Sequence, residues 1–168
     1  PRDGVRRPHL WLVAAAAIAP RLAVLLRERG AILTAFTDKS DDFAQTFVHH
    51  GTFGFIPGEP SAYTQPLYGF FLVPIYWVFG RTWWAVGIAQ IVVATATALL
   101  VYAIGARVMS RRTGVFAAVV STLSPYLIWH DVHLNREGLD QLVAAALVLT
   151  AIIAADRRSL AWATGAGV

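Results

Sequence analysis

Long apolar stretches divide the chain into segments that predict membrane-spanning helices. A helix needs about 20 apolar residues to cross about 30 Å of hydrocarbon. The first stretch contains Pro20 and Arg21, so we expect Arg21 to lie near a boundary between lipid and water, with its guanidinium reaching the headgroups. The predicted spans are residues 10–26, 83–106, 113–130 and 138–155.

A further apolar and aromatic segment, residues 65–79, is too short to span easily. About 15 residues of helix reach only about 23 Å, and Pro66 and Pro74 interrupt the segment. The positive-inside rule decides between two topologies. If residues 65–79 do not cross and the N-terminus is cytoplasmic, eight basic residues lie inside and six outside; if they cross, the split is five and nine. We therefore expect an interfacial or re-entrant helix on the outer face.

The predicted fold is an all-α, polytopic transmembrane helix bundle. It has about four complete spans, the start of a fifth at residues 159–168, and a long outer loop, residues 27–82, that carries interfacial helices. We expect residues 1–168 to be the N-terminal part of a larger membrane domain in the bacterial inner membrane. An alternative reading of the start is a secretory signal, because Arg6-Arg7, an apolar stretch and Ala17-Ile18-Ala19 fit its pattern. The later spans favour an uncleaved first helix.

Composition supports a membrane protein. Hydrophobic residues make up 57% of the chain and charged residues 14%, about half the usual share for a soluble domain. The absence of cysteine excludes a disulfide scaffold and a cysteine-ligated zinc site. The net charge is +4, but the arginines lie at the ends of apolar runs. Topology therefore explains the basic balance better than nucleic-acid binding does.

Most polar residues of the predicted topology lie on the outer side, which indicates an active site built from two loops. A short helix is expected from Asp41 to Gly51, because Phe43 and Phe47 share a face and glycine ends helices. Asp41 and Asp42 would cap it, which does not exclude catalysis by one of them. The outer polar residues are Asp38, Asp41, Asp42, His49, His50 and Glu59 in the long loop, and His130, Asp131, His133, Arg136, Glu137 and Asp140 in the short one.

Metal binding has weak support from histidine and more from carboxylates. The adjacent His49 and His50 would point in different directions on a helix, so they rarely chelate one ion. A lone pair such as His130 and His133 needs a third ligand. A divalent cation, Mg²⁺ or Mn²⁺, between a long-loop aspartate and Glu137 suits the preference of hard cations for oxygen.

The ordered set of motifs resembles the N-terminal portion of the GT-C superfamily of polytopic membrane glycosyltransferases. The similar branch contains the protein O-mannosyltransferases and the lipid A aminoarabinose transferase. The resemblance covers residues 10–155. The motifs that carry it are Asp41-Asp42-Phe43-Ala44, His50-Gly51-Thr52-Phe53-Gly54, Pro60-Ser61-Ala62-Tyr63-Thr64-Gln65-Pro66-Leu67-Tyr68, Phe79-Gly80, Gln90, Arg111-Arg112-Thr113-Gly114, Ser124-Pro125 and Arg136-Glu137-Gly138-Leu139.

The resemblance implies an enzyme that moves a sugar from a polyprenyl-phosphate carrier to an acceptor hydroxyl at the outer face, with inversion. It implies Asp41 or Asp42 as the catalytic base, with Asp38 as a third candidate, and Glu137 as a metal-site acid. Membrane lipids and the lipid-linked donor are the expected partners. The expected substrate-binding residues are Arg136, His133, Tyr63 and Tyr68. The alternative is a transporter, flippase or non-catalytic accessory protein of cell-envelope glycan assembly.

Overall fold

The computed structural model describes residues 8–35 and 37–157, together with 164, 165 and 167. Regular elements in residues 8–157 are all helical, and a 3₁₀ turn at Arg29–Leu33 follows the first helix. The predicted start of a fifth span and the arginines before Pro8 lie wholly or largely outside the described residues. The α-helices are α1 Pro8–Glu28, α2 Ser40–His50, α3 Pro66–Phe79, α4 Trp83–Val108, α5 Arg111–Thr122, α6 Pro125–His130 and α7 Glu137–Arg157.

Helix α4 is the centre of the bundle, because α1, α5 and α7 all pack against it. Within the part of the chain that the structure describes, three segments are long and apolar enough to cross a membrane: His9–Leu33, Trp83–Val108 and Glu137–Asp156. They coincide with three of the predicted spans. The prediction of an all-α membrane helix bundle is therefore confirmed.

The third predicted span, residues 113–130, forms two helices rather than one. Helix α5 ends at Thr122, and α6 begins at Pro125. Proline has no amide hydrogen for the i→i−4 ladder, and it disfavours helical backbone in the residue before it. Ser124 accordingly has extended backbone, with ψ of 123°. The crossing of this segment, and with it the count of four spans, stays a prediction.

Helices α4 and α5 approach each other through glycine. A Cβ added to Gly105 would lie 2.7 Å from the Cα of Gly114, and one added to Gly114 would lie 2.5 Å from the carbonyl oxygen of Tyr102. Small residues allow such close backbone approach between membrane helices. Ser110 fixes the start of α5, because its hydroxyl accepts a hydrogen bond from the Thr113 amide at 3.2 Å.

The long loop contains both helices that the sequence predicts. Helix α2 ends where expected, at Gly51, whose φ of +69° is unfavourable for other residues. The side chain that caps its start is Asp38, which accepts from the Ser40 amide at 2.9 Å. Helix α3 packs against α2 and leaves an apolar face exposed, with Leu67, Phe70, Trp77 and Val78 on it.

Arg21 does not reach toward headgroups, and that expectation is wrong. Its side chain is 2% exposed and forms an ion pair with Asp131, at 2.7 Å between Nη2 and Oδ2. A buried guanidinium is stable only with such a partner, because desolvation of an unpaired charge is costly.

We expect Gly114→Ala to lower the stability of the bundle by about 1–2 kcal/mol, even though alanine favours helix, because the new methyl group would press on α4 backbone atoms. Thermal unfolding of the detergent-solubilised protein measures the effect. Gly30→Ala is the matched control, since nothing lies within 4 Å of a Cβ at that position. An unchanged melting temperature for Gly114→Ala would contradict this account of the contact.

Candidate functional site

The two outer loops of the predicted topology are joined by backbone contacts. Thr37 pairs with Leu134 in an isolated parallel bridge. The amide of Asp38 donates to the carbonyl oxygen of Leu134 at 2.9 Å. Leu134 is fully buried in the core that α2 and α3 share. The residues just before α2 are therefore held beside the residues just before α7.

An open pocket of about 420 Å³ lies where the loops meet. Its walls are three short segments, and each directly precedes a helix: α2, α3 or α7. Helix N-termini carry partial positive charge and unsatisfied amide groups, which favour anions. The lining residues are Thr37, Asp38, Lys39, Tyr63, Thr64, Gln65 and Arg136.

Lys39 contacts Tyr63 across this pocket in two ways. Its ammonium donates to the Tyr63 hydroxyl at 2.7 Å and lies 4.3 Å from the centre of that ring. This hydrogen bond lowers the pKa of Tyr63. Ser40 and Thr64 share a second hydrogen bond at 3.2 Å. The wall before α2 is thereby fastened to the wall before α3, and both Lys39 and Arg136 bring positive charge to the pocket.

Asp41 is buried and is not part of the pocket lining. Its side chain is only 3% exposed, and Arg81 binds both carboxylate oxygens through Nε at 3.1 Å, with Nη2 at 2.7 Å from Oδ2. Tyr76 donates to Oδ1, and Gln45 donates to Oδ2 at 3.2 Å. The Arg81 guanidinium also donates to the carbonyl oxygen of Leu33 at 2.9 Å. Asp41 therefore joins α2 to α3 and to the turn after α1.

The pKa values around Asp41 reflect this arrangement. Burial and the adjacent Asp41 charge raise the pKa of Tyr76, so that the phenol stays a hydrogen-bond donor. The hydrogen bond to Asp41 raises the pKa of Arg81. The cluster is a neutralised ion pair with a phenol attached, which is a stable structural unit.

The other predicted catalytic residue, Asp42, is exposed in the first turn of α2. Neither it nor Asp41 donates or accepts a side-chain bond that caps the helix, since Asp38 has that role. Of the three candidate bases, Asp38 is the one that lines the pocket. Assignment of the base to Asp41 or Asp42 stays a prediction, and the geometry favours Asp38.

The four predicted substrate-binding residues separate into two groups. Arg136 and Tyr63 both line the pocket, and their role in binding substrate stays a prediction. Tyr68 is buried and donates to Gln90 Oε1 at 3.3 Å. His133 is also buried, stacked on Trp129 at 3.8 Å, with Nδ1 2.7 Å from the Trp129 carbonyl oxygen. Tyr68 and His133 support the loops from within rather than facing the pocket.

The described residues offer no group of three His, Asp or Glu side chains that could hold a metal ion. Glu137 is exposed at the start of α7 and accepts from the Tyr126 hydroxyl at 3.4 Å. The rings of His49 and His50 are 6.4 Å apart and exposed. These residues do not fit the expected Mg²⁺ or Mn²⁺ site, so the divalent cation stays a prediction and we derive no step through it.

The sequence patterns do not predict that Arg21 pairs with Asp131 inside the bundle. Asp131 had been grouped with the loop residues, and Arg21 precedes it by 110 positions. Burial raises the pKa of Asp131, while Arg21 opposes that shift. An arginine inside an apolar run is the one sequence feature that points to such a partner.

Comparison with protein families gives one match. The family model described as dolichyl-phosphate-mannose-protein mannosyltransferase matches residues 60–168. The matched range contains two of the pocket walls, at Tyr63 and Arg136. It begins after the third wall, at Asp38. Comparison with curated proteins and with solved structures gives no match.

We expect Arg81→Gln to destabilise the protein more than Asp41→Asn does. Removing Arg81 leaves a buried carboxylate without a cation, which costs about 3–5 kcal/mol. Removing the Asp41 charge leaves a guanidinium that is 32% exposed and can reach water. Urea or thermal unfolding in detergent compares the two variants.

The matched control is Arg107→Gln, which breaks the exposed pair of Arg107 and Asp156 at 2.8 Å. Exposed pairs contribute about 0–1 kcal/mol, so this variant should unfold nearly as the parent does. Equal stability of Arg81→Gln and Arg107→Gln would show that the Asp41 cluster is not a structural unit.

Proposed function

Because the chain belongs to the dolichyl-phosphate-mannose-protein mannosyltransferase family of GT-C membrane glycosyltransferases, we propose that it transfers a sugar from a polyprenyl-phosphate carrier to an acceptor hydroxyl. The match confirms the resemblance drawn from the motifs. The pocket between the two loops is the proposed place of reaction, and inversion at the anomeric carbon is the proposed outcome. We assign the protein to the bacterial inner membrane, as a multi-pass protein with a cytoplasmic N-terminus.

The observation that carries the proposal is the charge and position of the pocket lining. Lys39 and Arg136 provide two cations, and three helices begin at the walls. A phosphate group is the part of the donor that such a site would bind. Asp38 adds one carboxylate to the same lining. Sugar transfer from a lipid phosphate requires two functions of the site: it must bind the leaving phosphate, and it must accept the proton of the acceptor hydroxyl.

The geometry supports a direct displacement. The acceptor oxygen forms a bond to the anomeric carbon while the bond from that carbon to the phosphate oxygen breaks. The hydroxyl proton passes to the Asp38 carboxylate, acting as general base. The electron pair of the broken bond stays on the lipid phosphate, where Lys39 and Arg136 offset the added negative charge. The phosphate is already a good leaving group, so no strong general acid is needed.

The position of the pocket along the bundle supports an outer-face reaction. Arg81, which binds Asp41, lies two residues before the start of α4, and Arg107 lies at the other end of α4 beside Asp156 of α7. Arg111 and Arg112 follow on that same end. The positive-inside rule assigns this arginine-rich end to the cytoplasm, which directs the pocket outward. The apolar face of α3 would then contact lipid near the donor.

We expect Asp38→Asn to lower kcat by about 100- to 10,000-fold, the usual contribution of a general base. Lys39→Gln and Arg136→Gln should lower kcat/KM through weaker binding of the donor phosphate. The assay is transfer from labelled polyprenyl-phosphate sugars in membranes that contain the full-length protein. If Asp38→Asn keeps its activity, assays of Asp41→Asn and Asp42→Asn test the two other candidate bases. The control is Glu59→Gln, because Glu59 is an exposed loop carboxylate outside the pocket lining.

Transfer should persist in EDTA, because Lys39 and Arg136 supply positive charge at the leaving phosphate. The same membranes are assayed with chelator and then with added Mg²⁺ or Mn²⁺. Activity that is lost in EDTA and restored by either ion would support the divalent cation instead and would bring Glu137 back as a candidate ligand.

A further inference from the structure

All three nitrogens of the Arg21 guanidinium donate hydrogen bonds inside the bundle. Nε and Nη2 donate to Asp131 Oδ2 at 2.9 and 2.7 Å. Nη1 donates to the carbonyl oxygens of Ala17 and Thr122 and to the Thr122 hydroxyl, at 3.0, 3.1 and 3.0 Å. Arg21 and Asp131 are 1% and 6% exposed. One guanidinium thus connects α1, the end of α5 and the loop before α7.

The loop that Asp131 begins is held again by α4. The side-chain amide of Gln90 donates through Nε2 to the carbonyl oxygens of Asp131 and His133, at 3.2 and 2.6 Å. The next carbonyl, of Leu134, accepts from the Asp38 amide at 2.9 Å. Residues 131–135 are all buried, and Arg136 follows at the pocket. Hydrogen bonds, together with the buried backbone of residues 131–135, therefore connect Arg21 in α1 to both sides of the pocket.

We propose that the ion pair of Arg21 and Asp131 is a positioning device that fixes residues 131–136 and thereby sets Arg136 opposite Asp38 across the pocket. Its effect on catalysis rests on the proposed function of that pocket. Apolar contacts alone tolerate small sliding motions, whereas a buried charge pair has one favourable arrangement, since displacement leaves both charges poorly solvated. Arg21 touches no substrate in this proposal and acts through Arg136.

The variant that separates positioning from stability removes both charges together. Single substitutions leave an unpaired buried charge and could simply unfold the protein. Replacing a buried pair with neutral residues of similar size is often neutral for stability. Arg21→Met combined with Asp131→Asn should therefore fold while losing the fixed geometry. The matched control is Arg107→Gln combined with Asp156→Asn, which removes the exposed pair of the same residue types.

The kinetic test compares this double variant with wild type in full-length protein. We expect kcat/KM for the lipid-linked donor to fall about 10- to 100-fold, as a misplacement of about 1 Å can produce, with the larger part in KM. Arg136→Gln should then cost much less in the double-variant background than in wild type, because Arg136 is already misplaced. Additive effects, or a kcat/KM equal to that of the control pair, would overturn the proposal.

A distance measurement tests the positioning without relying on activity. The chain has no cysteine, so Asp42→Cys and Arg136→Cys place two spin labels without background labelling within it. We expect a narrow distance distribution in the otherwise wild-type protein and a broad or shifted one with Arg21→Met and Asp131→Asn. Identical distributions would overturn the proposal. If wild type transfers sugar from no donor, the proposed function fails, and the label distances still decide the positioning inference.

Discussion

A guanidinium in an apolar helix bundle must be paired, and this constraint bears on the end of the bundle that carries the pocket. Arg21 lies in the first helix, and its partner, Asp131, lies in the loop before the last one. The pair brings that loop into the bundle, where Gln90 of α4 holds its backbone. The loop in turn holds the segment before α2. These contacts place the residues before α2 beside the residues before α7, where the pocket lies.

The fold was largely predictable, because hydrophobic burial and helix length act locally along the chain. The apolar runs predicted α1, α4 and α7, and the aromatic segment with Pro66 and Pro74 predicted α3. The break before Pro125 was not recognised, since a count of apolar residues reports lipid solubility and not backbone hydrogen bonding. Ser124-Pro125 is visible in the sequence, but only the structure shows that α5 ends at Thr122 and that a new helix begins at Pro125.

The site was predictable in part, and the limit has a physical cause. Arg136 and Tyr63 line one pocket, and the predicted topology places both of their loops on one side of the membrane. The partners of charged residues were not predictable. Asp41 pairs with Arg81 across 40 positions, and no periodicity links such residues. Because Asp41 is buried and outside the pocket lining, Asp38 becomes the favoured catalytic base, although the sequence analysis names it only as a third candidate.

The length of α4 has a consequence for how the protein sits in a bilayer. Its 26 residues extend about 39 Å, which exceeds the hydrocarbon thickness of about 30 Å. A helix with such excess length tilts or leaves its ends in the headgroup layer, at a modest cost per ångström of mismatch. Because α1, α5 and α7 pack on α4, they tilt with it. Bilayer thickness therefore adjusts how deep the mouth of the pocket lies relative to the lipid phosphates, so that membrane composition alone can tune access to it.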